Sequence, residues 1–266
     1  MLKSTAASLE LKSPLLKGSK KITVDEAFEQ VGGFGIFQGL MTLSMTLNKC
    51  AAVWFLAGFG MYTSDLNYEC FSDGIWSKCD KQTICSNPNS FTIRIDETHP
   101  DFIKGWQQEM NLMCTDRSVI QWMVIPYFIM TGFSGLLFRH LPDKWGPFKT
   151  LNIFMTVIVV ALTSCLLVPN YWVRMMSFCV VGLCNVKNSA TYMYMAGCVH
   201  QRDKSVCYGI INAYDCGSCL VIGLFYLFIS RDYFPLMQIH IGLTFLSIII
   251  VNMMQVDSPR WLVATG

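Results

Sequence analysis

Six long hydrophobic runs, separated by polar stretches, follow a polar start of 33 residues. The runs are Gly35–Tyr62, Val119–Phe138, Leu151–Val168, Trp172–Met195, Val206–Ile229 and Tyr233–Met254. Each is close to the ~20 residues that an α-helix needs to cross the hydrocarbon core of a bilayer. Because backbone groups in lipid must be hydrogen-bonded within their own segment, we expect each run to be a transmembrane helix. The pattern predicts an all-α integral membrane protein with six transmembrane helices.

The polar stretches divide the chain and suggest its orientation. The predicted regions are a basic tail (1–33), helix one (34–62), a long outer loop (63–118), helices two to six (119–256) and a short tail (257–266). Lysines and arginines are more frequent in the first tail and in the turns after helices two and four than on the opposite side. Since these residues favour the cytoplasmic face, both termini are predicted in the cytosol or the mitochondrial matrix. The Ser-, Thr- and Lys-rich start has part of the composition of a transit peptide, so plasma membrane and mitochondrial inner membrane both stay open.

The composition agrees with a protein whose main partner is the lipid bilayer. Only 14% of the residues are charged, whereas soluble domains contain about 25%. The formal net charge is +2, which gives no indication of a nucleic-acid partner.

The 12 cysteines fall into two groups. Four lie in the polar outer loop, at Cys70, Cys79, Cys85 and Cys114. An even number of loop cysteines in an oxidising compartment predicts two disulfides, and the three possible pairings stay open. The remaining cysteines lie in or beside hydrophobic runs, where cysteine usually acts as a small buried apolar residue.

Redox or metal chemistry has little support in the sequence. Cys216 and Cys219 have the spacing of a redox dithiol, but such a pair needs an activating environment such as a helix N-terminus. Here the pair falls in the middle of an apolar run. The histidines lack the spacing of metal ligands. We therefore expect no metal, no cofactor and no enzymatic activity.

Charged side chains inside the runs are the candidate functional residues. Lys49, Lys187 and Asp215 lie within helices one, four and five, and Asn185 and Asn212 accompany them. A charge at the centre of a bilayer costs at least ~2.5 kcal/mol, so it normally faces a partner or a wet cavity. Lys187 and Asp215 lie at similar distances from the turn between their helices, so they are predicted to lie at a similar depth, where they could pair. Such a pair would serve either as part of a substrate or ion site or as a structural bond between two helices.

Four motifs carry a family resemblance, which covers nearly the whole chain from Val31 to Leu262. They read VGGFGIFQ at Val31–Gln38, EMNLMCTDR at Glu109–Arg117, LPDKWG at Leu141–Gly146 and DSPRWL at Asp257–Leu262. In this order, around a long cysteine-containing loop, they resemble the N-terminal half of the organic cation/anion transporter family of the major facilitator superfamily. The resemblance implies one six-helix bundle of the two that enclose a cavity and rock against each other.

The resemblance also implies a gating turn after helix two, to which this sequence conforms only partly. Asp143, Lys144 and Gly146 match the family pattern, but Arg139 stands where a glycine is usual and Pro147 where an arginine is usual. The predicted helix four also differs from the family pattern. Met195 stands where that pattern has an acidic residue, and Phe178 stands where it has an arginine.

Two functions are therefore weighed. The first is transport of a small organic ion by this bundle together with a second six-helix unit, either another copy or a separate chain. Lys49, Lys187, Asp215, Asn185 and Asn212 would then line the cavity. The second is a non-transporting accessory subunit of a larger membrane complex, for example a mitochondrial respiratory assembly.

Overall fold

The computed structural model describes residues 34–72, 74–86 and 92–254. The two predicted tails and the motif at Asp257–Leu262 lie outside the described residues, as do the first residues of the motif at Val31–Gln38.

Helices make up most of the described chain. In chain order the helices and strands are α1 (Ile36–Tyr62), β1 (Tyr68–Ser72), β2 (Ile75–Cys79), α2 (Lys81–Ser86), β3 (Thr92–Ile95), α3 (Trp106–Glu109), α4 (Arg117–Gln121), α5 (Ile125–Leu137), α6 (Leu141–Trp145), α7 (Pro147–Leu167), α8 (Tyr171–Leu183), α9 (Lys187–Cys198), α10 (Lys204–Phe228) and α11 (Tyr233–Met254).

Within residues 34–72, 74–86 and 92–254, five helical segments are long and apolar enough to cross a membrane. They are Ile36–Tyr62, Arg117–Leu137, Pro147–Leu167, Lys204–Phe228 and Tyr233–Met254. Many of their outward-facing residues are large and apolar, as lipid contact requires, and Leu136 and Phe228 are examples, with 81% and 76% of their surface exposed. These segments correspond to five of the six predicted runs, in agreement with an integral membrane protein of mainly α-helical class.

The remaining predicted run takes a different form, because a 3₁₀ turn at Cys184–Val186 divides it into α8 and α9. The side chain of Asn170 caps α8 by accepting hydrogen bonds from the backbone N–H groups of Trp172 and Val173. At the turn, the buried Ser134 hydroxyl of α5 accepts the N–H of Val186 at 3.0 Å. The break is therefore covered by a neighbouring helix rather than left open to lipid.

The helix α1 lies at the centre of the packing and contacts α9, α10 and α11. Small hydroxyl residues hold it against α11, since Ser44 donates to the Ser247 carbonyl at 3.1 Å and Ser247 donates to the Ser44 carbonyl at 2.9 Å. On the other side of the bundle, α5 packs on α8, and α7 contacts α8, α9 and α11.

Gly182 allows the close contact between α8 and α5. A Cβ atom at this position would overlap the backbone of Tyr127. We therefore expect Gly182→Ala to lower the free energy of unfolding by about 1–3 kcal/mol, the usual cost of overpacking. Gly132→Ala in α5 is the matched control, because its Cβ would meet open space, and it should be neutral or slightly stabilising. Thermal unfolding of the two purified variants compares them, and equal midpoints would contradict this role for Gly182.

The outer loop contains a small antiparallel sheet, which the sequence analysis did not predict. Its strand order is β2-β1-β3, and Cys70 of β1 lies opposite Ser77 on one side and Ile93 on the other. The description as all-α therefore holds for the membrane part but not for this loop. Tyr68 lies in the small core beneath the sheet, where burial raises the pKa of its phenol and the nearby Asp65 adds to the shift.

Two disulfides close the loop and settle the pairing that the sequence left open. Cys70 is bonded to Cys79, and Cys85 is bonded to Cys114. The first joins neighbouring strands, whereas the second ties α2 to the end of the loop, just before α4. The prediction of two disulfides among these four cysteines is confirmed.

An ion pair between the fully buried Arg174 and the partly exposed Glu109 docks the end of the loop onto the helices. Arg174 near the start of α8 has no exposed surface, and its guanidinium bonds to the Glu109 carboxylate of α3. The same guanidinium lies 4.6 Å from the ring centre of Trp106. Trp106 is itself fully buried, with its ring centre 5.0 Å from that of Tyr62 and 6.2 Å from that of Phe178.

Candidate functional site

Three consecutive polar residues of α1 form the centre of the candidate site. Asn48, Lys49 and Cys50 are all buried. Successive side chains of an α-helix point about 100° apart, so Asn48 and Lys49 face different neighbours, and the backbone carbonyl of Cys50 makes a third contact. Asn48 bonds to α9, Lys49 to α10, and the Cys50 carbonyl to α11.

The first contact encloses Lys187 of α9, which has no exposed surface. Its ammonium donates to the Asn48 carbonyl at 2.7 Å, to the Asn48 side-chain oxygen at 2.9 Å and to the Asn188 side-chain oxygen at 3.3 Å. An ammonium has three N–H donors, and three neutral oxygens accept them here. Lys187 is thus fully satisfied without a carboxylate partner.

Asn185 extends this network to α5. The Asn188 amide donates to the side-chain oxygen of Asn185, and the Asn185 amide donates to the Thr131 hydroxyl at 3.4 Å. We call Asn48, Lys187, Asn188, Asn185 and Thr131 the Lys187 group. It connects α1, α9, the 3₁₀ turn and α5, as expected for polar side chains that join helices in a membrane.

The second contact pairs Lys49 with Asp215 of α10. The Lys49 Nζ lies 3.4 Å from the Asp215 Oδ2 atom and 5.3 Å from the ring centre of Tyr192 on α9. The Tyr192 hydroxyl donates to the side-chain oxygen of Asn212 at 2.7 Å. We call Lys49, Asp215, Tyr192 and Asn212 the Asp215 group. The predicted pairing of Asp215 with Lys187 is wrong, because Lys49 of the central helix takes that place.

The two groups differ in their access to the surface of the bundle. Asn212 is exposed, and the Asp215 side chain keeps 28% of its surface. Asp215 also has one buried oxygen, Oδ1, without a hydrogen-bond partner among the described residues. The Asp215 group can therefore meet a ligand, whereas Lys187 and Asn48 are fully buried.

The third contact involves His240 of α11, which the sequence analysis did not select. The ring is fully buried, and its Nε2 atom lies 3.1 Å from the Cys50 carbonyl oxygen. Its ring centre is 5.9 Å from that of Trp54, which in turn stacks on Tyr214 at 6.5 Å. A histidine in an otherwise apolar run is the signal that could have identified it. Tyr192 carried no comparable signal.

The predicted gating turn is a short helix followed by a left-handed residue. Asp143 and Lys144 are exposed in α6, and Gly146 has a φ of 88°, a conformation that favours glycine. The Gly146 carbonyl accepts a hydrogen bond from the Thr150 hydroxyl at 2.9 Å, which fixes the start of α7. Gly146 thus has a structural explanation that does not depend on gating.

Other chemistry has little support in the part of the chain that the structure describes. Within residues 34–72, 74–86 and 92–254, no group of three or more His, Cys, Asp or Glu side chains could hold a metal ion. Cys216 and Cys219 are free thiols on the exposed side of α10.

Comparison with known proteins adds no family assignment, since no protein-family model and no curated protein matches the chain. The geometry of the Asp215 group and its surroundings is therefore the basis for assigning a function.

Proposed function

We propose that this chain supplies one six-crossing bundle of major-facilitator type to the pathway of an organic-ion transporter, and that it is not an enzyme. The observation that carries the proposal is the position of the Asp215 group. It places the partly exposed carboxylate of Asp215 and the exposed amide of Asn212 on an apolar helix, beside the phenol of Tyr192 and the buried ammonium of Lys49. Ionisable residues at membrane depth are typical of substrate and ion pathways.

The sixth crossing in this proposal is the segment formed by α8, the 3₁₀ turn and α9. It runs from Tyr171 to Cys198, long enough to cross a bilayer at ~1.5 Å per residue. Lys187 and the turn lower its apolar character, and broken helices with such polar centres are common beside transporter cavities.

A second six-helix unit would cover the polar face. Lipid offers no hydrogen bonds to Asp215 or Asn212, so leaving their exposed atoms against acyl chains would be costly. Another copy of the chain or a separate six-helix unit would enclose the Asp215 group in a cavity. The membrane would be the plasma membrane or the mitochondrial inner membrane, with the ends of the bundle before α1 and after α11 on the cytosolic or matrix side.

Two observations favour the alternative of a non-transporting accessory subunit. Lys187 has no exposed surface, and all three N–H donors of its ammonium are hydrogen-bonded, as in a structural network. The turn after α5 also has Pro147 and Phe148 at the start of α7 where the related transporters carry arginines. In this alternative the chain would be part of a larger membrane complex, such as a respiratory assembly.

Uptake measurements on Asp215→Asn test the transport proposal. If the Asp215 group lines the pathway, this variant should reach the membrane at the normal level and lose at least ~10-fold of uptake of labelled organic cations or anions, equivalent to ~1.4 kcal/mol. Asp101→Asn is the matched control, because the Asp101 side chain in the outer loop is 86% exposed. The control should transport normally.

Two results would argue against transport by this site. Equal uptake by Asp215→Asn and Asp101→Asn would remove the Asp215 group from the pathway. Absence of uptake in all variants, together with migration of the chain on native gels in a complex of many subunits, would favour the accessory subunit.

A further inference from the structure

The Lys49 side chain occupies the place that a cationic ligand of the Asp215 group would take. Its ammonium is 3.4 Å from a carboxylate oxygen of Asp215 and 5.3 Å from the ring centre of Tyr192. A carboxylate beside an aromatic face is a common recognition element for ammonium ligands, since both attract positive charge. The chain thus fills a cation-binding arrangement with its own side chain.

Lys187, the second lysine in this part of the bundle, does not make the Asp215 group a binding site for anions. All three N–H donors of the Lys187 ammonium are directed at oxygens of Asn48 and Asn188, and the residue has no exposed surface. An incoming anion would have to break these bonds and enter a closed network. Lys187 therefore offers no free donor to a ligand.

The acceptors of the Asp215 group are only partly used. The Oδ1 atom of Asp215 is buried and has no hydrogen-bond partner among the described residues, while Oδ2 is bonded to Lys49. The pair is accessible mainly from the Asp215 side, with 28% of that side chain exposed against 10% for Lys49. A ligand therefore reaches the carboxylate more easily than it reaches the lysine.

We propose that Lys49 is an internal competitor, which a small alkylammonium ligand must displace in order to bind Asp215 and the Tyr192 ring. This inference rests on the proposed role of the Asp215 group as a ligand site, and it assigns that site to cations. The flexible four-carbon stem of lysine allows the ammonium to leave without movement of α1. The apparent affinity for the ligand equals the intrinsic affinity multiplied by the fraction of molecules in which Lys49 has left the site. The more often Lys49 occupies the site, the weaker the ligand binds.

Binding of tetraethylammonium to the full chain in nanodiscs tests the competitor directly. Lys49→Gln keeps a polar side chain but removes the charge, and it should bind labelled tetraethylammonium roughly tenfold more tightly than the unaltered protein. Lys49→Arg keeps a cation at the same position and should bind no more tightly than the unaltered protein. Asp215→Asn should abolish binding, both alone and combined with Lys49→Gln.

A measurement on the unaltered chain covers the case in which Lys49→Gln fails to fold. Displacement of Lys49 from Asp215 should expose its amine, so saturating tetraethylammonium should increase the rate at which an amine-reactive reagent labels Lys49. Mass spectrometry of the labelled peptide gives this rate. Lys149, which is exposed at the start of α7, is the reference and should react equally with and without the ligand.

Several outcomes would overturn the proposal. These are weaker tetraethylammonium binding by Lys49→Gln, absence of saturable binding to every variant, and slower labelling of Lys49 in the presence of the ligand. Tighter binding of benzoate than of tetraethylammonium, lost in Lys49→Gln, would identify Lys49 as an anion ligand instead. The binding assay does not require translocation, so it tests the role of Lys49 separately from transport. Cation binding without uptake would contradict the transport proposal, whereas the proposal that Lys49 competes with the ligand would still hold.

Discussion

Replacing Glu109 with glutamine is expected to lower the free energy of unfolding by about 3 kcal/mol, because it removes the carboxylate partner of a buried guanidinium. Arg174 has no exposed surface, and its Nε and Nη1 atoms already lack hydrogen-bond partners among the described residues. Breaking a buried pair from one side costs about 3–5 kcal/mol, and the partial exposure of Glu109 places this case at the lower end.

The thermal unfolding midpoint of the purified protein measures this effect. A loss of 3 kcal/mol should lower the midpoint by roughly 6–12 °C for a chain of this size. Glu97→Gln is the matched control, because Glu97 is an exposed carboxylate of the same loop. The double variant Glu109→Gln/Arg174→Met should recover part of the loss, since it removes the unpaired charge. Equal midpoints for Glu109→Gln and Glu97→Gln would refute a docking role for the pair.

Loss of the Cys85–Cys114 disulfide is expected to be the second large effect. The bond links residues 29 apart in sequence, whereas Cys70–Cys79 links residues 9 apart. Loop-closure entropy predicts a cost of about 3.6 kcal/mol for the longer connection and about 2.6 kcal/mol for the shorter one. The difference arises because the longer loop has more freedom in the unfolded chain.

Paired serine replacements separate the two bonds. Cys85→Ser/Cys114→Ser should make the outer loop more sensitive to limited proteolysis than Cys70→Ser/Cys79→Ser, in which the strand pairing of β1 with β2 still holds the shorter connection. Both variants keep the same number of cysteines, so each is the control of the other. Greater sensitivity of the Cys70 and Cys79 variant would show that the pairing of β1 with β2 does not hold the shorter connection without its disulfide, and that loop length does not decide the stability of the loop.

Hydropathy located the long helices but not all of their ends. The run predicted from Leu151 begins in the structure at Pro147, and the run predicted from Val206 begins at Lys204. A hydropathy pattern does not include the polar residues that can form the first turn of a helix. Conversely, the divided segment around Cys184–Val186 reads as one apolar run in the sequence, because a 3₁₀ turn has no distinct composition.

Of the candidate residues, Lys49 and Lys187 are buried, whereas Asn185 and Asp215 are partly exposed and Asn212 is exposed, and the sequence did not give their partners. Sequence spacing gives the depth of Lys187 and Asp215, whereas it does not give the direction in which each side chain points. The packing of α1 between the neighbouring helices decides that direction, and it brings Lys49 to Asp215 and Asn48 to Lys187. The strands of the outer loop were missed because β1 and β3 are distant in sequence and only five and four residues long.

The bond between Lys187 and Asn48 also has a consequence for synthesis of the chain. A lysine at the centre of a helix opposes transfer from the translocon into lipid by about 2.5–3.5 kcal/mol. Its acceptors on Asn48 lie 139 residues earlier in the sequence, so they emerge from the ribosome first. We therefore expect α9 to leave the translocon only when α1 is already beside it. A substitution of Asn48 in α1 would then be observed as failed membrane insertion of the fourth predicted run, which contains Lys187.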